Sequence, residues 1–423
     1  MLARFKLAEN NTDVKTEVIA GITTFMTMAY IIFVNPDILA AAGMDQGAVT
    51  TATILSAGIT TLLMGLVANY PFALASGMGL NAFFAFVVAA QAGWQAALGA
   101  VFLSGIVFLI LAWTGIVELM DEAVPATLKR AVSVGIGLFI TLIGLTSAGI
   151  IVANPATVVG LGDLASPGPA LALIGLAVIS ILMAKGVRGA MLIGILITTI
   201  IGIPMGVTKY QGIVGMPASL APIMFKLDIR GALELGFITI FAFLFVDVFD
   251  TMGTLMGTAA RAKFLDEQGR LPRIKEAMLV DAIGTMGGAV LGTSTVTTYV
   301  ESSAGIAEGG RTGLSAVTVG ILFFLSLFFA PLALTVPSQA TAPALVIVGV
   351  LMMSAISGVD FNDFTEALPA FITIALMPFS YSIADGIAGG FIAYPLVKLA
   401  AGRSNEVHPF VYVLAVISLI HFL

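Results

Sequence analysis

Residues 241–258 read FAFLFVDVFDTMGTLMGT, placing two carboxylates in a run otherwise apolar enough to cross a bilayer. At helical spacing Asp247, Asp250, Thr251, Thr254 and Thr258 fall at i, i+3, i+4, i+7 and i+11, which gathers them on one side and leaves Phe, Leu, Val and Met elsewhere. The stretch is a lipid-compatible helix with one polar stripe. An ionised Asp at bilayer depth costs at least roughly 2.5 kcal/mol on insertion scales, so such residues face a protein interior or a water-filled cavity and mark a transport path.

The rest of the chain supplies the matching context. Hydrophobic residues make up 59% of it and charged residues 10%, with a mean hydropathy of +1.08, which excludes a soluble domain. Apolar runs recur with no soluble-sized polar block between them, so one membrane domain over 1–423 and no catalytic appendage is expected. Absence of cysteine excludes disulfides and thiolate chemistry. His408 and His421 are the only histidines and both lie near the C-terminus, so no metal or other cofactor is expected and any proton chemistry must use carboxylates. The opening residues, MLARFKLAENNTDVKTE, are mixed in charge and give no expectation of a signal or transit peptide.

Spans are expected at about 16–34, 49–69, 75–91, 95–117, 128–150, 168–184 and 187–206, then at about 232–258, 275–291, 297–308, 311–331 and 342–357. Two or three more fall in 364–423, for about fourteen in all. Arg4, Lys6 and Lys15 precede the first span, Lys129 and Arg130 follow the fourth, and Lys185 and Arg188 separate the sixth and seventh. Five of the eighteen basic residues cluster after the eighth, and span parity puts all these on one side, assigned to the cytoplasm together with the N-terminus of a multi-pass cell (inner) membrane protein. Lys209, Lys226 and Arg230 weaken the contrast on the other side.

Seven spans per half make the second half enter the membrane from the opposite side, a 7+7 inverted repeat in an all-α polytopic fold. PFALASGMGLNAFF at 71–84 and GTSTVTTYVESSAGI at 292–306 are the third element of each half, and each opens with residues suited to an extended stretch before a half-helix. Matching broken segments point to a transporter's site near the midplane. There Asn81, Glu301 with Ser302, and the stripe from Asp247 through Thr251 to Thr254 are expected to converge. Carboxylates accept hydrogen bonds and an Asn amide donates and accepts, which suits a small flat heterocycle rich in N–H groups. No Lys or Arg lies in the spans supplying these groups, so an anion lacks a fixed positive charge. Acids without basic partners can carry a proton across, and Asp247 or Glu301 is the expected carrier. Gly77, Gly79 and Gly253 read as close helix contacts, the Thr23, Thr27 and Tyr30 stripe as structural, and Asp360, Asp363, Glu366 and Asp385 as interfacial.

At these residues the chain resembles the AzgA-like hypoxanthine/guanine/adenine permeases, a branch of the nucleobase/ascorbate transporters. TEVIAGITTFMTMAYIIFVNP at 16–36, ALASGMGLNAFFAF at 73–86, DVFDTMGTLMG at 247–257 and TSTVTTYVESSAGIAEGGRTGL at 293–314 carry the resemblance, which runs essentially end to end. It implies uracil-permease-like architecture: a core of about 16–117 and 232–331 moving against a gate of about 128–206 and 342–423. It also implies secondary active import of purine nucleobases (hypoxanthine, guanine and/or adenine) by proton symport. Carried over position by position, the family's acidic ligands fall on Asp247 and Glu301 and its polar contact on Asn81; with Thr251 and Ser302 these form the expected substrate-binding set, and Asp247 and Glu301 the proton-coupling pair. Membrane lipid and a homodimer paired through the gates are the implied partners, with no nucleic acid. A pyrimidine base, xanthine or urate, or an anion on the same fold is the alternative. A channel would need a filter or ring of like sites, and an enzyme a nucleophile or metal set, neither of which the sequence offers.

Overall fold

In lipid every backbone N–H and C=O must be satisfied internally, so apolar runs of spanning length become helices. The computed structural model, which describes residues 2–267 and 270–422, has two sets of seven helical segments followed by one more helix. The first seven are α1 Val14–Ala40, α2 Gln46–Ala68, α3 Met78–Ala92, α4 Trp94–Thr114, α5 Ala126–Ser147, α6 Pro167–Ala184 and α7 Ala190–Gly202. The second seven are α8 Phe237–Ala262, α9 Ile274–Leu291, α10 Ser302–Ala307, α11 Gly313–Thr335, α12 Ser338–Gly358, α13 Phe364–Ser380 and α14 Ile383–Ala400. Region 364–423 therefore holds three helices, because a further one, α15 Pro409–His421, packs along α14. Nine of the described helices are long and apolar enough to cross a membrane alone. Their ends depart from the expected bounds by a few residues, most at α1, which continues past an interruption at Ala29 and Tyr30.

The third segment of each half opens as expected, in extended chain. Strand β1 Leu74–Ser76 precedes α3, strand β4 Val296–Thr298 precedes α10, and the two pair antiparallel with Leu74 opposite Thr298 and Ser76 opposite Val296. Small and β-branched residues suit the two strands because they are fully buried between helices. One side-chain amide seats them: Asn35 of α1 donates to Thr53 Oγ1 at 2.7 Å and to Thr293 Oγ1 at 2.9 Å, and Thr293 is hydrogen-bonded to Ser76 of β1 at 3.0 Å. A second two-stranded piece was not expected. The connection between α5 and α6 folds as a hairpin, β2 Ile151–Asn154 with β3 Val158–Leu161, largely exposed.

Segments 1–4 pack with segments 8, 9 and 11, as in α1 on α11, α2 on α11 and α4 on α9. Segments 5–7 pack with 12–14, as in α5 on α12 and α13, and α6 on α12. Glycine sets the α5–α12 distance: a Cβ on Gly349 would lie 2.5 Å from the Gly137 carbonyl oxygen. In the first of these sets, the buried carboxylate of Glu17 in α1 accepts the Arg311, Thr312 and Ser315 amides at 2.8, 3.1 and 3.1 Å, and with Asn69, which accepts the Gly313 amide at 2.9 Å, it caps the start of α11.

The expected interfacial acids split. Asp363 binds Arg403 at 2.6 Å and Glu366 binds the buried Lys398 at 2.6 Å, while Glu406 binds both bases. Hydrogen bonds from Thr365 and Arg403 hold Asp363 down to about 2, and those from Arg403 and Lys398 hold Glu406 down to about 2. Depressed carboxyls stabilise the fold above their unfolded values near 4 and lose that contribution as pH falls towards 2. Arg403→Ala is therefore expected to lower Tm at pH 7, with the gap from wild type closing below about pH 4; a gap that stays constant with pH would rule this coupling out.

Candidate functional site

Two half-helices beginning beside a strand pair leave backbone and side chains facing a void between the two halves. The void is a cavity of about 110 Å³. Its walls come from α1 (Tyr30), the start of α3 (Gly77–Leu80), α8 (Val246, Asp250, Thr254), β4 and its exit (Thr297–Glu301), α5 (Ile136) and α12 (Met352). Ile136, Val246, Asp250, Thr254, Val300 and Met352 also line a vestibule of about 530 Å³, so the two spaces adjoin. The vestibule opens past Lys129 and Arg130 at the start of α5, on the face that carries the α4–α5 connection.

Among the described residues, the acids on the cavity wall are Asp250 and Glu301, and no Lys or Arg lines it. Glu301 accepts a hydrogen bond from the Tyr30 hydroxyl at 2.7 Å, and Asp250 accepts one from Thr297 at 3.2 Å. Each keeps acceptor capacity, because a carboxylate offers two oxygens with two lone pairs apiece. Tyr30, read in sequence as part of a structural stripe, thus orients an acid of the wall. Tyr30→Phe is expected to raise the apparent KM for substrate about tenfold, as loss of one hydrogen bond to a charged group is worth roughly 1.5 kcal/mol or more. An unchanged KM would mean that Tyr30 does not position Glu301.

Of the substrate-binding set expected from sequence, Glu301 stands on this wall, and Asn81, Asp247, Thr251 and Ser302 stand behind or beside it. Asp247 is 1% exposed and lies behind β4, where Thr285 donates to it at 2.7 Å. Thr251, also fully buried, donates to Asp281 at 3.0 Å. Ser302 uses its hydroxyl to accept the Ala73 amide at 3.0 Å, fastening the start of α10 to the chain entering β1. Asn81 is one turn into α3 from the wall, fully buried, with neither polar side-chain atom hydrogen-bonded. Asp250, read as equally suited to capping a neighbouring helix, is the α8 acid facing the void.

The three glycines also divide. Cβ atoms at Gly77 and Gly79 would lie 2.4 Å from Thr297 Cγ2 and 2.3 Å from Ile136 Cγ2, so both combine close contact with a place on the wall. A Cβ on Gly253 would meet nothing within 4 Å, and that residue lines the vestibule instead of a helix contact. Phe249 lies in the vestibule under Lys129, whose Nζ is 5.6 Å from the ring centroid. Asp281 was missed in sequence, although DAIGT at 281–285 repeats the Asp-to-Thr spacing of DVFDT at 247–251.

Known proteins share both sequence and shape. The chain is 47% identical over 421 residues to the adenine permease AdeP of Escherichia coli, covering 99% of this chain and 95% of that one. It is 46% identical over 436 residues to the guanine/hypoxanthine permease PbuG of Bacillus subtilis, covering 99% and 98%. The transmembrane domain of the cyanobacterial bicarbonate transporter BicA superposes with a TM-score of 0.67 at 16% identity, over 89% of this chain and 97% of that one, and so shares its fold. Residues 15–389 match the permease family Xan_ur_permease. With a central cavity between inverted halves and a family match along most of its length, the chain belongs to that family and is a membrane permease, not an enzyme.

Proposed function

We propose that this permease imports purine nucleobases, adenine, hypoxanthine or guanine, together with protons. The observation that carries the reading is the cavity wall, with Asp250 and Glu301 as acceptors and no basic side chain among the described residues. A purine presents N–H groups along its edge, and these are the complements of carboxylate oxygens. The printed substrates of the 45–47% identical relatives, adenine and guanine/hypoxanthine, agree with that chemistry. BicA carries bicarbonate on the same fold, but an anion here would meet two acids without a counter-charge.

In this reading Glu301 and Asp250 hold the base, with Asn81 close by in α3. Asp247, Thr251 and Ser302 brace β4 and α10 behind them. Segments 1–4 and 8–11 form the core that carries the site, and segments 5–7 and 12–14 the gate, since packing is dense within each set. Alternating access is then movement of one body past the other. The vestibule side, rich in Lys and Arg, is cytoplasmic, and the N-terminus lies there in the cell membrane. A homodimer paired through the gates follows from the family resemblance; a monomer mass in mild detergent would remove it.

The test is uptake of radiolabelled hypoxanthine in cells lacking other purine carriers, competed by unlabelled bases. Saturable uptake blocked by purines and abolished by a protonophore supports the reading. Competition by uracil alone moves the substrate to pyrimidines, and indifference to the protonophore removes the proton.

A further inference from the structure

Behind the cavity wall α8 and α9 face each other through two copies of one pattern, Asp247 four residues before Thr251 and Asp281 four residues before Thr285. The hydrogen bonds cross. Thr285 donates to Asp247 Oδ2 at 2.7 Å, and Thr251 donates to Asp281 Oδ1 at 3.0 Å. Each hydroxyl then accepts an amide of β4, Val296 N–H on Thr285 at 3.1 Å and Thr298 N–H on Thr251 at 3.3 Å. The strand that leads to Glu301 is therefore held by two hydroxyls, and each hydroxyl is held by an acid.

The remaining oxygens, Asp247 Oδ1 and Asp281 Oδ2, have no hydrogen-bond partner, and both residues are buried to within 1%. Two ionised carboxylates side by side in such a place suffer desolvation and mutual repulsion, which one bound proton relieves. No described cation approaches them. Helices α2 and α4, packed on α9, carry no ionisable side chain, nor do α3 and α10 on α8. From α5 come Lys129 and Arg130, which line the vestibule, and from α15 come Tyr412 and, as its last residue, His421. From α14 come Asp385, Tyr394 and Lys398, the last paired with Glu366 and Glu406. On the pair's own helices Lys275 and Glu276 sit in the first turn of α9, while Asp250 is near enough to act electrostatically on both acids.

We propose that Asp247 and Asp281 together form the site that takes up the transported proton, and that its presence sets how tightly Thr251 and Thr285 grip β4 and hence where Glu301 stands. The proposal rests on the reading of the protein as a proton-coupled purine carrier. A hydroxyl donating to an ionised carboxylate makes a charge-assisted bond, roughly twice as strong as one to a neutral carboxyl. Protonating the pair loosens one anchor of the strand, and a base bound at Glu301 senses the change. Proton and substrate are then linked through β4 without sharing an atom. Asp281 and Thr285 are positioning residues for Glu301.

Proteoliposomes separate the two functions. Hypoxanthine counterflow reads binding and conformational exchange, and an entrapped pH dye reads protons moved during uptake driven by an imposed pH gradient. Asp281→Asn, whose amide oxygen can still accept the Thr251 hydroxyl, is expected to retain counterflow at a shifted hypoxanthine KM while substrate-dependent proton flux disappears and the accumulation ratio falls to about 1. Asp281→Glu is expected to restore part of the flux. Unaltered proton flux in Asp281→Asn would overturn the proposal, as would loss of counterflow together with flux in protein whose thermal unfolding matches wild type. Should Asp281→Asn fail to fold, Thr285→Val provides the reading: a shifted pH for half-maximal uptake supports the pair, and an unshifted profile overturns it. Wild-type protein that moves no purine would bring down the carrier reading and the pair with it; wild-type transport with an Asp281→Asn flux unchanged brings down the pair alone.

Discussion

Glu301→Gln is expected to cut purine uptake about 10- to 100-fold, the effect of losing a hydrogen bond to a charged group worth roughly 1.5–3 kcal/mol. Gln preserves length and one acceptor but turns an acceptor oxygen into an N–H donor, which then opposes the N–H edge of the base. The residue is fixed from two directions, by the Tyr30 hydroxyl at 2.7 Å and by its place immediately before α10. The side chain therefore cannot swing away to relieve the mismatch without breaking one of these. Uptake of radiolabelled hypoxanthine at matched surface expression measures it. Wild-type uptake by Glu301→Gln would remove Glu301 from the site.

Gly79→Ala is expected to reduce transport about tenfold, and a second change, Ile136→Ala, to restore it. The added Cβ would sit 2.3 Å from Ile136 Cγ2, a branch methyl held on α5 and not the end of a flexible chain. Overpacking of this kind costs roughly 1–3 kcal/mol. Because residue 79 lies on the proposed core and residue 136 on the proposed gate, the cost falls on the arrangement in which the two bodies meet here, and the population shifts away from it by the same free energy. A double-mutant cycle on uptake reports the coupling between the two positions. Equal defects in the single and double variants would show that residue 79 acts through something other than this contact.

Much of this was legible because the bilayer restricts what a chain can do. Apolar length gave the spans, and Gly77, Ser76, Thr297 and Thr298 pointed to the two extended stretches, since small and β-branched residues suit a strand buried between helices. Which acid of α8 faces the void was not legible. Asp247 and Asp250 are about 60° apart around one helix, within a single polar stripe, so periodicity cannot divide them. The division is made by β4, which lies against Asp247 and Thr251 and leaves Asp250 and Thr254 to the cavity. Tyr30 was discounted because its partner is 271 positions away. Asp281 stands as one acid in an otherwise ordinary span, marked in sequence only by the spacing to Thr285 that Asp247 and Thr251 share. The β2–β3 hairpin could not be read either, as its Asn-Pro turn and short apolar flanks resemble any loop outside the membrane.

A purine base is expected to occupy the cavity between the start of α3 and the exit of β4. Cryo-electron microscopy of the purified protein with saturating hypoxanthine tests this most directly. Density for a flat base beside Gly77–Leu80, with a ring N–H within about 3 Å of a Glu301 or Asp250 carboxylate oxygen, is the expected result. A base bound elsewhere, or in this cavity but out of hydrogen-bond reach of both acids, would contradict it.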